Sequence, residues 1–482
     1  MDLAIKRSRP WLSLWLTILI LSGCATVGPD YIPPATELSA TWHTGLKGGL
    51  TDDQQASRDL EAWWTLLNDP ELSSLVHRAV AGNLDLKKAR ARVREARARR
   101  GQARADHFPT LDFQATGSRS RSSEATGAVM TSDLYAMGFD AGWELDIFGG
   151  VRRSVEAAEA TFQASQEDWR DVLVSLLAEV ALNYVDVRIY QARMAVAEAN
   201  LASQDETCRL TSWRYQAGLS DEMAVQQSRY NLENTRSQIP SLRTGLEEAL
   251  NRIAVLLGEQ PGKIHEKLKK KAPLPVTPLR IAVGVPADAL RRRPDVRRAE
   301  RELAAQTARI GVATADLYPK FKLTGSIGLE ALALNNLLSA GSQTYSFGPG
   351  ITWPLFAGGA IRQNIEVQSV LQEQSLIAYE AAVLNALEEV ENALAAYAEE
   401  QFRRDALRDA TEAAKQAAEL AQKKYQGGLT DFSNVLEAQR SLLSFQDQLT
   451  QSAGKVTSNL IRLYKTLGGG WTSLSTGDGK ND

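Results

Sequence analysis

Four stretches of the 482-residue chain alternate apolar and polar residues with period two. Leu111, Phe113, Ala115 and Gly117 alternate with Asp112, Gln114, Thr116 and Ser118. Tyr135, Met137, Phe139, Ala141, Trp143 and Leu145 alternate with Ala136, Gly138, Asp140, Gly142, Glu144 and Asp146. Farther on, Phe321, Leu323, Gly325, Ile327 and Leu329 alternate with Lys320, Lys322, Thr324, Ser326 and Gly328. Tyr345, Phe347, Pro349, Ile351, Trp353 and Leu355 alternate with Thr344, Ser346, Gly348, Gly350 and Thr352. Side chains of a strand point to opposite faces in turn, so the pattern predicts four strands with one face in an apolar medium and one in a polar medium. Each run is about 9–12 residues long, close to the length of a tilted strand that crosses a bilayer. Phe113, Tyr135, Trp143, Tyr345 and Trp353 sit near the run ends, as in an interfacial girdle. A soluble sandwich with one buried face is the alternative reading. It is weakened because the two hairpins face no other strands and long helices flank each.

Between the strand pairs the period changes. From Gly150 to Gln216 no proline and no further glycine occurs, and the same holds from Ala360 to Gln426. At 1.5 Å per residue each run would be on the order of 100 Å long. Val383, Leu387, Val390, Leu394 and Tyr397 step by 4, 3, 4, 3, a heptad seam. Trp169, Val172, Leu176, Val180, Tyr184 and Val187 form a similar stripe, as do Leu442, Phe445, Leu449, Val456, Leu460, Leu463 and Leu467. Helices of this length pack side by side, not into a compact domain. Pro240 is expected to kink the returning helix of the first half. Pro294 fits a helix N-terminus. The arginines 291–293 before it read as a solvated or interprotomer face.

The chain is written twice. Phe108-Pro109 matches Tyr318-Pro319, Gly101 matches Gly311, and Trp143 matches Trp353. Tyr215-Gln216-Ala217-Gly218-Leu219-Ser220-Asp221 matches Tyr425-Gln426-Gly427-Gly428-Leu429-Thr430-Asp431, and Leu257-Gly258 matches Leu467-Gly468. Every pair is offset by 210 positions, so the chain is two structural repeats. Each reads helix, strand, strand, long helix, turn, helix. The organisation expected is a signal at 1–23, an N-terminal segment at 24–67, a first repeat at 68–258 with its hairpin near 111–147, a linker at 259–285, a second repeat at 286–468 with its hairpin near 320–356, and a flexible tail at 469–482. The basic run from Lys267 to Lys271 reads as solvated loop.

Four strands cannot close a barrel, and an open sheet edge in lipid leaves backbone groups unpaired at several kcal/mol each. If the hairpins span a membrane, the chain must oligomerise. Two copies give eight strands and a filled interior, while three give twelve and a modest channel. The small residues Gly138, Gly142, Gly348 and Gly350 on the polar face suit an open lumen.

Composition narrows the classes. Hydrophobic residues at 44% and charged residues at 23% describe a folded chain. A mean hydropathy of −0.27 is too polar for a bundle of membrane-spanning helices. Net charge of −3 gives no basis for broad capture of nucleic acid. His43, His77, His107 and His265 are scattered without metal-binding spacing, and no phosphate loop or nucleophile elbow occurs, so no enzyme is expected. Lys6, Arg7 and Arg9 precede an apolar run at 11–21 and then Leu21-Ser22-Gly23-Cys24. That order is a secretory signal, and it resembles the bacterial lipoprotein signal in which the cysteine is acylated. Cys24 is the expected lipid attachment, with no other cofactor. Ala25 follows it, which by resemblance to the sorting rule favours the outer membrane. Cys208 then has no thiol partner and is expected to pack as a small hydrophobe.

A family resemblance adds to this. It is carried by Cys24-Ala25-Thr26-Val27-Gly28-Pro29-Asp30-Tyr31, by Trp63-Trp64 with Asp69-Pro70-Glu71-Leu72, by residues 290–296 (Leu-Arg-Arg-Arg-Pro-Asp-Val) and by Leu436-Glu437-Ala438-Gln439-Arg440. The chain resembles the bacterial outer-membrane efflux proteins, the TolC-like outer membrane factors, in their lipoprotein branch. The resemblance implies a homotrimer: a twelve-stranded membrane β-barrel continued by a twelve-helix α-helical barrel, the periplasmic tunnel. It implies an exit duct working with a periplasmic adaptor protein and an inner-membrane transporter, without covalent chemistry. It also implies that the turns Gly218, Leu219, Ser220 and Asp221, and Gly427, Gly428, Leu429, Thr430 and Asp431, dock the adaptor. As plain turn chemistry, the same residues end one helix at glycine and cap the next at Ser220 or Asp221, and at Thr430 or Asp431. The periplasmic gate is carried over to Tyr425 and to Glu437, where the family commonly has aspartate. Protein export through the same duct, or a lipid-anchored coiled-coil structural protein, are the alternative functions.

Overall fold

The computed structural model describes residues 26–35, 39–52, 60–275, 277–278 and 280–472. The signal, Cys24 and residues 473–482 lie outside the described residues. Six helices form three pairs whose ends are each 210 positions apart. These are α2 (Leu84–Ala105) with α7 (Pro294–Ala315), α3 (Gly150–Gln216) with α8 (Ala360–Gln426), and α4 (Glu222–Leu256) with α9 (Phe432–Thr466). Shorter pieces are α1 (Pro70–Gly82), α5 (His265–Leu268) and α6 (Pro286–Arg292). The strands are β1 (Leu50–Thr51), β2 (Thr110–Arg121), β3 (Thr131–Leu145), β4 (Ile281–Ala282), β5 (Lys320–Ala331) and β6 (Gln343–Thr352). The absence of glycine and proline inside α3 and α8 lets each run uninterrupted for 67 residues. α4 is continuous through Pro240, and Thr244 Oγ1 donates to the Pro240 carbonyl at 3.1 Å.

Contacts divide the chain into two units. One comprises Met1–Ala35, Arg92–Gln166 and Arg298–Glu380, and the other Thr36–Ala91, Glu167–Arg297 and Ala381–Asp482.

In the first unit β2, β3, β5 and β6 form one antiparallel sheet in that order. The two hairpins are thus joined to each other through β3 and β5, a pairing the sequence pattern left open. The segment after residue 25 is held by Arg153 near the start of α3. Its guanidinium donates to the carbonyls of Val27 (3.1 Å) and Gly28 (3.3 Å) and to Asp30 (2.6 Å). Tyr31 donates to Glu300 at 3.2 Å, and burial together with the Glu300 charge pushes its hydroxyl up to about 12.

The second unit holds the largest apolar core. Trp63 is buried and stacked on Tyr464 at 5.6 Å, surrounded by Leu67, Leu72, Leu75, Leu177 and Ile253. The heptad positions Val390, Leu394 and Tyr397 and, on α9, Val456, Leu460 and Leu463 are buried in it. Removing one of these side chains, as in Leu177→Ala, is expected to cost about 2–5 kcal/mol. Asp69 caps α1 through the N–H groups of Glu71 (2.9 Å) and Leu72 (3.1 Å) and accepts from the Tyr184 hydroxyl at 2.6 Å. Residues 39–52 lie on this unit. Trp42 Nε1 donates to the Gly284 carbonyl at 2.8 Å, Glu391 accepts from the N–H groups of His43 (2.7 Å) and Thr44 (2.9 Å), and Leu50 pairs with Ile281 in a parallel two-residue bridge.

Three expectations change here. Arg293 is not a solvated face: it is buried, ion-paired to Asp295 (2.6 Å) and Glu389 (2.7 Å), and donates to the Thr466 carbonyl. The run from Lys267 to Lys271 contains the turn of α5, with Leu268 fully buried, Lys267 on Glu71 at 2.8 Å and Lys271 on Glu198 at 3.2 Å. The expected tail from 469 begins with packed residues: Trp471 donates to the Arg292 carbonyl at 3.2 Å, and the Arg170 guanidinium lies 4.6 Å from its ring centre. Cys208 is a free cysteine and partly buried.

Candidate functional site

Register decides what the sheet presents. Phe113 pairs with Phe139, Phe139 with Ile327, and Ile327 with Tyr345, which makes one apolar row across all four strands. These side chains are between 49% and 84% exposed, so nothing among the described residues covers them. Leu111, Phe347, Ile351 and Trp353 extend the bare face. On the opposite face Asp112, Asp140, Ser326 and Ser346 form the matching row, with a hydroxyl hydrogen bond of 2.9 Å between the two serines. A face of this size without cover is unstable in water and stable in lipid. Trp143 and Trp353, one in each repeat, expose their rings while their Nε1 atoms donate to the carbonyls of His107 (2.9 Å) and Leu317 (3.0 Å). A satisfied N–H beside a bare ring suits the membrane–water boundary. Among the described residues no strand pairs with the outer edge of β2 or of β6.

One glycine has a different reason from the expected one. Gly138 stands opposite Gly328 between the two hairpins, and a Cβ on Gly138 would lie 2.7 Å from the Ile327 carbonyl oxygen. Close approach of β3 and β5 demands it, whatever the lumen width. Gly348, by contrast, meets open space.

In the second unit the helical turns have the same construction. Gly218 (φ +74°) and Gly428 (φ +68°) take the left-handed conformation that ends each long helix. Leu219 N–H donates to the Arg214 carbonyl and Gly218 N–H to that of Tyr215, at 2.8 and 2.9 Å. Leu429 and Gly428 repeat this with Lys424 and Tyr425. Gly427 is not the left-handed residue. The caps then differ: the Asp221 carboxylate accepts from Ala224 N–H at 2.8 Å, whereas Asp431 makes no cap bond and is exposed. Thr430 instead accepts from Asn434 Nδ2 at 2.8 Å, while Ser220 makes no cap bond. Leu219 and Leu429 are 67% and 79% exposed, and Trp213 and Met223 are bare beside the first turn.

The two expected gate residues have different surroundings. Tyr425 is half-buried against Phe432 (5.1 Å between rings), with the Arg214 guanidinium 4.7 Å from its ring centre. Glu437 is exposed on α9 and makes no hydrogen bond or ion pair among the described residues. Sequence reasoning placed Arg440 in the family motif but missed its partner. Its guanidinium lies 4.9 Å from the Tyr230 ring centre, hydrogen-bonds the Tyr230 hydroxyl, and donates through Nε to Asn231 Oδ1 at 3.0 Å. The signal was available: Tyr230 and Arg440 occupy one position of the two repeats with unlike residues.

The family model described as outer membrane efflux protein matches twice, at residues 75–259 and 285–469. Nodulation protein T of Rhizobium leguminosarum bv. trifolii is 34% identical, over 95% of this chain and 97% of its own length. The toluene efflux pump outer membrane protein TtgI of Pseudomonas putida is also 34% identical, over 94% of this chain and 97% of its own. The solved outer-membrane channel OprN superposes with a TM-score of 0.87 at 36% identity, covering 93% of this chain and all of that one.

Proposed function

The chain belongs to the outer membrane efflux protein family, and from that premise we propose that three copies close their sheets into one barrel, anchored by a lipid on Cys24. The protein is the outer-membrane exit channel of a tripartite efflux pump and extends into the periplasm. Three copies of a four-stranded sheet give twelve strands. Two would give eight, a size whose interior fills with side chains. The periplasmic adaptor docks on the turns at 218–221 and 427–431, where bare Leu219 and Leu429 offer apolar knobs. Tyr425 and Glu437 narrow the passage near that tip, Tyr425 held by Arg214 and Glu437 presenting an unpaired carboxylate. Three such carboxylates in one throat favour cations. The duct is passive; no covalent step is assigned to it. Relatives named for toluene and solvent efflux support small apolar molecules as cargo.

The observation that carries this reading is the uncovered row Phe113–Phe139–Ile327–Tyr345, bounded by two unpaired strand edges. Purified protein in planar bilayers is expected to give discrete channel currents and to run as a trimer that dissociates on heating. A strain lacking the gene is expected to become sensitive to organic solvents and to recover on complementation. A stable detergent-free monomer without channel currents would overturn the proposal.

A further inference from the structure

The lipid-seeking face of the sheet is uncharged except at one end. In β2 every second residue from Leu111 lies on that face, and the series runs through Phe113, Ala115 and Gly117 to Arg119 and Arg121. Asp133 and Thr131 of β3 stand opposite the two arginines. Asp133 takes Arg119 Nε at 3.0 Å, and the Arg119 side chain is still 75% exposed. Arg121 is exposed and has no charged partner among the described residues. Glu124, the remaining charge at this end of the hairpin, lies in the turn beyond the strands. α2, α3, α7 and α8 join the sheet at the ends marked by Thr110, Leu145, Lys320 and Thr352, which is the periplasmic side, and both hairpins close at the other. At about 3.3 Å per residue and a tilt of about 40°, the rise from Leu111 to Arg121 is on the order of 25 Å, the height of the apolar band of a membrane barrel. The two guanidinium groups therefore stand where the hydrocarbon ends and the headgroups of the outer leaflet begin. Deeper on a lipid-facing strand an arginine is costly, and the cost fades only toward the boundary.

We propose that Arg119 and Arg121 form a binding site for the phosphate groups of a glycolipid in the outer leaflet. This rests on the membrane-barrel reading above and names a lipid for its rim. The planar guanidinium fork matches phosphate oxygens, and hydrogen bonds to an ionised acceptor are the strong ones. A cross-strand ion pair explains Arg119 but not Arg121, which stands opposite a threonine. Thr131 adds a hydroxyl on the same face. A general solubilising role would place cations on both hairpins. Moved by 210 positions, Arg119 and Arg121 become Leu329 and Ala331, and the second hairpin closes through exposed Leu332, Leu334 and Leu338 without any charge. The leaflet is chosen by the ends of the sheet. At the periplasmic end the same face shows Leu111, Trp143 and Trp353 and no cation, so the phospholipids of the inner leaflet meet nothing that would hold a phosphate. At the outer end, cations on one hairpin stand next to an apolar tip on the other, the two halves of a phosphorylated and acylated lipid.

Lipid binding to the purified full-length protein in detergent tests this. The probes are intact lipopolysaccharide, the same lipopolysaccharide stripped of its phosphates, and phosphatidylglycerol, with inorganic phosphate as competitor. Wild type is expected to bind the intact form at least about tenfold more tightly than the stripped form. Arg119→Gln with Arg121→Gln should lose that preference while still running as a heat-dissociable trimer, and Arg119→Lys with Arg121→Lys should recover part of it. Excess inorganic phosphate should not displace the lipid. Equal binding of the intact and stripped forms by the wild type would overturn the proposal, and this comparison does not depend on any variant folding. An undiminished preference in the double glutamine variant would also overturn it. So would phosphatidylglycerol or free phosphate bound as tightly as intact lipopolysaccharide, because the site would then be a general anion trap. A wild type that does not embed in membranes at all would instead remove the barrel reading beneath it.

Discussion

Tyr230 and Arg440 stand at one position of the two repeats and touch each other, the guanidinium 4.9 Å from the ring centre and hydrogen-bonded to the hydroxyl. The contact ties α4 to α9 at the helical end that carries the turns. Arg440 also donates to Asn231, so a single side chain holds two residues of the other repeat. Arg440→Ala is expected to loosen this tie and raise the resting conductance in planar bilayers. Tyr230→Phe, which keeps the ring and loses the hydroxyl, should have a smaller effect in the same direction. Wild-type conductance in Arg440→Ala would show that the tie does not restrain the passage.

Glu437 is three residues from Arg440 and has no partner among the described residues. A carboxylate left free in this way adds little to the fold, and the gate proposal has it act on passing ions. Glu437→Gln is therefore expected to weaken cation preference, read as a shift in reversal potential under a salt gradient, with unchanged thermal stability. An unshifted reversal potential would remove the carboxylate from the throat.

The two turns separate stability from docking. Asp221 caps its helix and Asp431 does not. Asp221→Ala should destabilise the protein by about 1 kcal/mol, the usual worth of an N-cap. Asp431→Ala should leave the melting temperature nearly unchanged yet reduce efflux in cells, as the docking proposal requires of a carboxylate with no cap bond. Equal losses of stability in both variants would contradict the asymmetry.

Asp112 and Asp140 face each other across β2 and β3 on the polar side of the sheet. Like charges directly opposite destabilise a strand pair by a few tenths of a kcal/mol to about 1 kcal/mol. Asp112→Asn with Asp140→Asn is expected to raise the heat stability of the barrel and lower its cation selectivity together. Reduced stability would show that the pair is held by something other than water.

Glu391 sets a pH dependence. Its burial favours the neutral form, but hydrogen bonds from the Thr44 side chain and from the Thr44 and His43 N–H groups outweigh this and hold the carboxyl below its ordinary value. A carboxylate with a depressed folded value contributes stability above the ordinary carboxylate range, and that contribution is lost as the pH falls through the folded value. Glu391→Gln should therefore melt earlier than wild type near neutral pH, with the gap closing in strong acid. Protease cleavage within 39–49 should rise in parallel. A gap independent of pH would point to packing and not to the charge.

The strands, the long helices and the turns were legible in the sequence because each rests on a local rule. Alternation with period two marked β2, β3, β5 and β6 because neighbouring strand side chains face opposite media. The lack of glycine and proline marked α3 and α8. Gly218 and Gly428 marked the turns because a left-handed helix end favours a residue without a Cβ. The constant offset of 210 residues exposed the doubling without any alignment.

Contacts between distant segments were decided only by the tertiary structure. A run of arginines does not say which member is buried, and Arg293 went inside because Asp295 and Glu389 converge on it. Gly138 owes its place to a strand from the other repeat, and Arg440 owes its partner to a helix 210 residues away. Asp221 and Asp431 look alike in sequence, yet only one carboxylate reaches a backbone N–H. By itself the sequence determined which elements form and that one face of the sheet seeks lipid, because those depend on neighbours along the chain. Which charges pair, which glycines are obligatory and which faces stay bare depend on what folding brings alongside, and only the three-dimensional structure decided them.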